Sequence, residues 1–273
     1  MCFTGWMSGG FAMLGLLLSY WVDSRTSNRR LAVGIFFFFT MEALQAVQYM
    51  FLASGLGSPV CETMVNKVLT ILGFLHICLQ PYFCHIINES LSQKPSAKNS
   101  PAHNEKLLKY HNQYVIIKRL CLIGGFLLFL RFPMSYIDGF QTQENRLGHS
   151  QEWLRGQSVC TFKTDSMVHL GWSVPMADST YLMQGIGIHS FLMFAPFFAL
   201  YEKKGSIMQG AFLFLSGPGL ASLMTSNLME QASIWCFFSI AQIGLMILLI
   251  RKTLVDNWAK QPLTAAAEKP LFN

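Results

Sequence analysis

The side chains best placed to do chemistry lie inside apolar segments, where an ionisable group is costly and usually functional. Glu42 stands about eleven residues into the stretch 31–53, and Gln45 and Tyr49 follow on the same helical face. The stretch 65–87 carries a matching stripe of Thr70, Gly73, His76 and Gln80, followed by Pro81. A proline cannot donate a backbone hydrogen bond, so the helix should kink near Gln80 and open a carbonyl to a ligand or water. Glu42 and His76 fall at similar depths on neighbouring antiparallel segments, and this predicts a direct or water-bridged contact. Such a pair could relay a proton, bind a cation or hold a metal. The same residues could equally form a hydrogen-bonded network joining helices, each bond worth about 1 kcal/mol or less.

Two more imidazoles extend the set. His169 lies beside Trp172 and Pro175 in VHLGWSVP (168–175), where it could line a vestibule, stack on a ligand, ligate a metal or act as a base. The alternative is an aromatic anchor at the membrane interface. His189 follows Gly185 at i+4 and could bring a further imidazole to the depth of His76. A transition metal, if one is held, would take His76, His169 and His189 as ligands, with Glu42 as base. His85 reads as interfacial, and His103 and His111 read as solvated. Arg131 is expected to snorkel to the surface or to pair with Asp138.

These residues need helices to position them. Apolar residues make up 52% of the chain and charged residues only 12%, too few to face water on every side. Seven apolar segments recur, at about 3–22, 31–53, 65–87, 120–137, 181–201, 207–224 and 234–250, most of a length to cross about 30 Å of hydrocarbon. Fifteen of the 20 basic residues fall in 23–30, 88–119, 202–206 and the tail after Ile250. Basic loops stay in the cytoplasm, so the chain reads as an all-α membrane protein, a bundle of seven transmembrane helices. Its N-terminus lies outside and its C-terminus is cytoplasmic, which suits a plasma membrane or a bacterial inner membrane. Ser8, Ala12, Gly15 and Ser19 form a small-residue stripe on which another helix can pack. SGPGL in the sixth segment should break helical regularity.

The segment 88–119 reads as a cytoplasmic linker, flexible through residue 113, and 138–180 as a folded outer cap. Cys61 and Cys160 are the preferred disulfide pair, tying the cap to the top of the third segment. The pI of about 9.0 is accounted for by loops lying against anionic lipid, so nucleic acid is not an expected partner. The expected partners are the bilayer and a small solute, ion or lipid, and the pattern fixes no oligomeric state. Phosphate-loop, HExxH, GxSxG, CxxC and HxxxH motifs are all missing from the sequence, and the seventh segment has no lysine for a retinal Schiff base.

The segments MCFTGWMSG, MEALQ (41–45), LHICLQPYF (75–83), VHLGWSVP and IWCFFSI (234–240) resemble a family of small polytopic proteins, a domain of unknown function found in bacteria, algae and fungi. The resemblance implies a similar multi-span fold and no established activity, and its weight falls on Cys2, Glu42, Gln45, His76, Gln80, His169 and Trp172. Three functions compete. The first is transport or conduction of a small solute or ion through a Glu42/His76 site. The second is metal-dependent chemistry on a lipid. The third is a receptor or accessory subunit of a membrane complex.

Overall fold

Small residues decide how the first two helices meet. Helix α1 (Gly5–Arg25) turns Ser8, Gly15 and Ser19 onto α2 (Arg29–Gln48), forming an antiparallel hairpin. A Cβ at Gly15 would lie 1.6 Å from Phe39 Cγ, so only glycine permits this approach. Ser19 Oγ donates to the Ala32 carbonyl at 2.9 Å. The computed structural model describes residues 4–92, 101–138, 152–164, 169–178, 186–200 and 203–258. Cys2, residues 93–100 and 139–151, Gly185 and the side chain of His103 lie outside them.

Helix α2 stops at Gln48 and tightens into the turn Tyr49–Phe51, ahead of Gly55, Gly57 and Pro59. Helix α3 (Met64–Ser92) returns antiparallel to it, and α4 (Pro101–Met134) runs back along α3. Gly125 lets α4 reach the backbone of α3, since a Cβ there would stand 2.2 Å from the Cys78 carbonyl oxygen.

Helix α4 corrects the reading of 88–119 as a linker, because residues 101–119 are helical and continuous with the fourth apolar segment. Pro101 suits a helix start, and Tyr110 and Tyr114 bury on one face with Ile117 packed beside them. That i, i+4, i+7 repeat is diluted by the Lys, His, Asn and Gln residues between. Nor is His111 fully solvated, because its Nδ1 lies 2.9 Å from Glu89 Oε1. Glu89 is buried and also takes Lys118 Nζ at 2.5 Å.

The chain is mostly helical but not entirely so. Strands β1 (Cys160–Lys163) and β2 (Leu170–Ser173) form an antiparallel ribbon in the cap. Asn66 of α3 fastens this ribbon, donating to the carbonyls of Phe51 at 2.9 Å and Thr161 at 2.8 Å, and accepting from Thr161 N at 3.0 Å. Cys61 and Cys160 are joined by a disulfide beside it. Helix α5 (Ile186–Ala199) packs on α3 and α4. After α6 (Lys203–Phe214) the chain widens into a π turn, Leu215–Gly219, and closes as α7 (Leu220–Met224). The long α8 (Leu228–Trp258) crosses α1, α2, β2 and the π turn.

Four helical stretches are long and apolar enough to cross a membrane: Arg29–Phe51, Met64–Leu91, Ser206–Met224 and Leu228–Lys252. Gly187–Ala199 is a shorter apolar helix.

Candidate functional site

Helix α2 carries a buried carboxyl group. Glu42 is fully buried, and neither carboxylate oxygen has a hydrogen bond of good geometry among the described residues. Gln45, one turn on, is equally buried, and its amide N and O are also unmatched. The Ser8 hydroxyl of α1 faces Glu42, and Tyr49 and Cys236 lie within electrostatic range of it. An unmatched buried polar atom costs about 1–3 kcal/mol, so four on adjacent turns are an expense that packing alone does not explain.

Beyond Gln45 on α2 is a hydrogen-bonded cluster. The Tyr49 hydroxyl and His169 Nδ1 lie 2.7 Å apart. The backbone N–H of His169 donates to Glu230 Oε1 at 3.2 Å, and the Thr225 hydroxyl donates to Oε2 at 2.8 Å. The Thr164 hydroxyl completes the set on Oε1. Burial holds the His169 imidazole down at about 4, against the opposing pull of the Glu230 carboxylate and a backbone contact at Ser233. Trp172 is neither an interface anchor nor a vestibule wall. It is 1% exposed, and its Nε1 donates to Gln48 Oε1 at 3.1 Å while Gln48 Nε2 donates to the Leu69 carbonyl at 2.9 Å.

His76 is not bonded to Glu42. Its Nε2 donates to the Phe37 carbonyl at 2.7 Å, and its ring stacks on Phe37 with centroids 3.9 Å apart. Phe37 lies more than a turn below Glu42, which separates the two groups. Gln80, also buried, leaves its Oε1 unmatched.

The carbonyls freed by proline are not open either. Pro81 leaves the Ile77 carbonyl without its helical donor, and His189 Nε2 fills it at 2.9 Å. Pro196 does the same to Leu192, and His85 Nε2 fills that carbonyl at 2.9 Å. His85 is therefore a buried clasp rather than an interfacial residue. A carbonyl only accepts, so Nε2 carries the proton in His76, His85 and His189. His76, His169 and His189 stand on separate elements with these commitments. Among the described residues no group of three or more His, Cys, Asp or Glu is placed to hold a metal.

From Glu42 toward the Arg29 end of α2 lies a cavity of about 470 Å³, bounded by α2, α3, α5, α6 and α8. Phe38, Trp235 and Ser239 line it toward Glu42, Phe38 being one turn before Glu42 and the other two flanking Cys236. Asn88, Gln209 and Gln242 supply most of its remaining polarity.

Sequence reasoning missed two carboxylates. Glu230 sits in Asn227-x-x-Glu230 at the head of α8, a pattern that signals a helix cap. Here the Asn227 N–H donates to the Thr225 hydroxyl instead, which leaves the Glu230 carboxylate to join the cluster. Glu152 pairs with Arg131, which neither snorkels nor meets Asp138. Arg131 is fully buried, reaching Glu152 at 2.6 and 3.1 Å and the Ala177 carbonyl at 2.8 Å. Arg155 stands 3.4 Å from the same carboxylate.

These features define a class, a mostly helical chain with four stretches able to cross a bilayer and buried polar groups along the α2–α8 seam. Within it, the chain belongs to a Family of unknown function (DUF5765), which matches residues 6–258. No curated protein and no solved structure matches the chain.

Proposed function

We propose that this protein is a polytopic membrane transporter in which Glu42 takes up and releases a proton as a small solute passes. The observation that carries the reading is the unmatched Glu42 carboxyl, fully buried between the apolar cavity and the Tyr49–His169–Glu230 cluster. A carboxyl that faces a hydroxyl rather than a fixed cation can change protonation state without breaking an ion pair, which a relay group must do repeatedly. The cluster offers hydroxyl and imidazole groups for the outward step, and the cavity offers a binding space on the inward side.

Seven crossings with the N-terminus outside complete this reading. Helix α1 presents Trp6, Met13, Leu17 and Tyr20 outward, and α4 presents Ile116, Ile123 and Phe126, as lipid-facing helices do. The contacts Ile77–His189 and Leu192–His85 run α3 and α5 in the same direction, as two descending spans require. The disulfide suits an oxidising outer face, as at a plasma or bacterial inner membrane. Proteoliposomes bearing the full chain should take up protons under an imposed gradient, and Glu42→Gln should abolish the uptake. Equal uptake by that variant removes Glu42 from the mechanism.

A further inference from the structure

The lining of the inner cavity specifies its occupant, an inference that rests on the transporter reading only in taking the occupant as the solute. The cavity's 470 Å³ falls in the range of about 300–1,000 Å³ that holds drug-sized ligands. Its wall is apolar for most of its length and, among the described residues, carries no Asp, Glu, Lys, Arg or His. A charged ligand would there be stripped of water with nothing to pair it, at a cost of several kcal/mol.

Several of the polar groups that line it are bonded to one another or to the backbone. Gln242 Nε2 bonds Ser216 Oγ at 2.5 Å and the Leu213 carbonyl at 3.4 Å, and the latter fixes which end of the amide is nitrogen. These two contacts hold the nitrogen in place. Gln209 Nε2 bonds Asn88 Oδ1 at 2.9 Å, and Ser239 Oγ donates to the Trp235 carbonyl at 3.0 Å. Among the described residues no donor reaches Oε1 of Gln209 or Gln242. An acceptor facing an otherwise apolar space calls for a ligand that brings its own O–H. Phe212, which lines the cavity, is also 52% exposed.

We infer that the cavity binds an uncharged long-chain lipid bearing a hydroxyl head, its chain along the apolar wall and its O–H on Gln242 Oε1 or Gln209 Oε1. A long-chain alcohol, a monoacylglycerol and a sterol share that chemistry.

The test is photolabelling of the full chain in mild detergent with a diazirine analogue of hexadecanol, run beside the matching fatty acid at neutral pH and the matching alkane. Saturable labelling of α6 or α8 by the alcohol, displaced by one of the three hydroxyl lipids and not by the acid, is the expected result. The lipid that displaces it identifies the source. Gln242→Leu should weaken the alcohol about threefold to tenfold, the loss of one neutral hydrogen bond, while leaving the alkane unchanged. Met246→Trp adds bulk to the lining and should remove saturable labelling, which keeps the test decisive if Gln242→Leu fails to fold. Equal binding of acid and alcohol, equal binding of alkane and alcohol, or labelling that survives Met246→Trp would overturn the inference. Binding is read at equilibrium without a gradient, so alcohol binding without proton flux contradicts the transporter alone. Proton flux without alcohol binding contradicts this inference alone.

Discussion

His189 Nε2 lies 2.9 Å from the carbonyl of Ile77, the one group in α3 that Pro81 deprives of its helical partner. His85 does the same for Leu192, freed by Pro196 of α5, so each helix supplies the histidine that the other's proline requires. His189→Phe should leave a buried carbonyl unmatched and cost about 1–3 kcal/mol. In a Pro81→Ala background the restored N–H fills Ile77, and the same change should cost clearly less. Thermal unfolding of the four proteins in detergent measures this coupling, and simple additivity would contradict the clasp.

The Cys61–Cys160 bond, with a sequence separation of 99, joins the turn just before α3 to the cap. Its removal by Cys61→Ser with Cys160→Ser should destabilise the cap by about 2–5 kcal/mol. Mass mapping of thiols provides a direct check. Cys61 and Cys160 should resist alkylation in denaturant until reductant is added, whereas Cys78, Cys84, Cys121 and Cys236 should label at once.

Stability should fall as the solution is acidified through the His169 window. The imidazole is held at about 4 when folded against 6.5 as its ordinary value. Between those pH values the unfolded chain gains a proton that the folded chain refuses, so stability is full above 6.5 and declines toward 4. One pKa unit is about 1.4 kcal/mol, which makes the His169 share on the order of 3 kcal/mol at most. Unfolding midpoints of wild type and His169→Asn across that range should converge at low pH, and parallel curves would refute the assignment.

Gly125 and Gly244 offer a matched pair of packing tests. Gly125→Ala places a carbon 2.2 Å from the Cys78 carbonyl and should cost about 1–3 kcal/mol or more by forcing α4 off α3. Gly244→Ala meets nothing within 4 Å and should stabilise α8 by about 0.5–1 kcal/mol. Equal effects in detergent unfolding would mean that α3 and α4 do not meet at Gly125.

Groups whose partner lies on the same helix or on the backbone were legible in the sequence. Ser8, Gly15 and Ser19 announce a close-packed face by spacing alone, and Pro81 announces a freed carbonyl. What filled that carbonyl was not legible, because His189 lies 112 residues away and helix spacing says nothing about which helices touch. The same limit misplaced His76, which the sequence sets at the depth of Glu42 but whose donor turns to Phe37. Arg131 was misread because its counter-ion, Glu152, sits in a cap whose fold depends on the ribbon and on Asn66 rather than on any periodic pattern. Glu230 was not legible because its partners Thr164 and His169 lie 66 and 61 residues away.

Proton flux through reconstituted vesicles, compared for wild type, Glu42→Gln and His76→Gln, tests the central claim most directly. The account predicts gradient-driven uptake in wild type, a fall of at least about tenfold in Glu42→Gln, equivalent to 1.4 kcal/mol of barrier, and retained uptake in His76→Gln. Absence of flux in the folded wild type, or wild-type flux in Glu42→Gln, would contradict it.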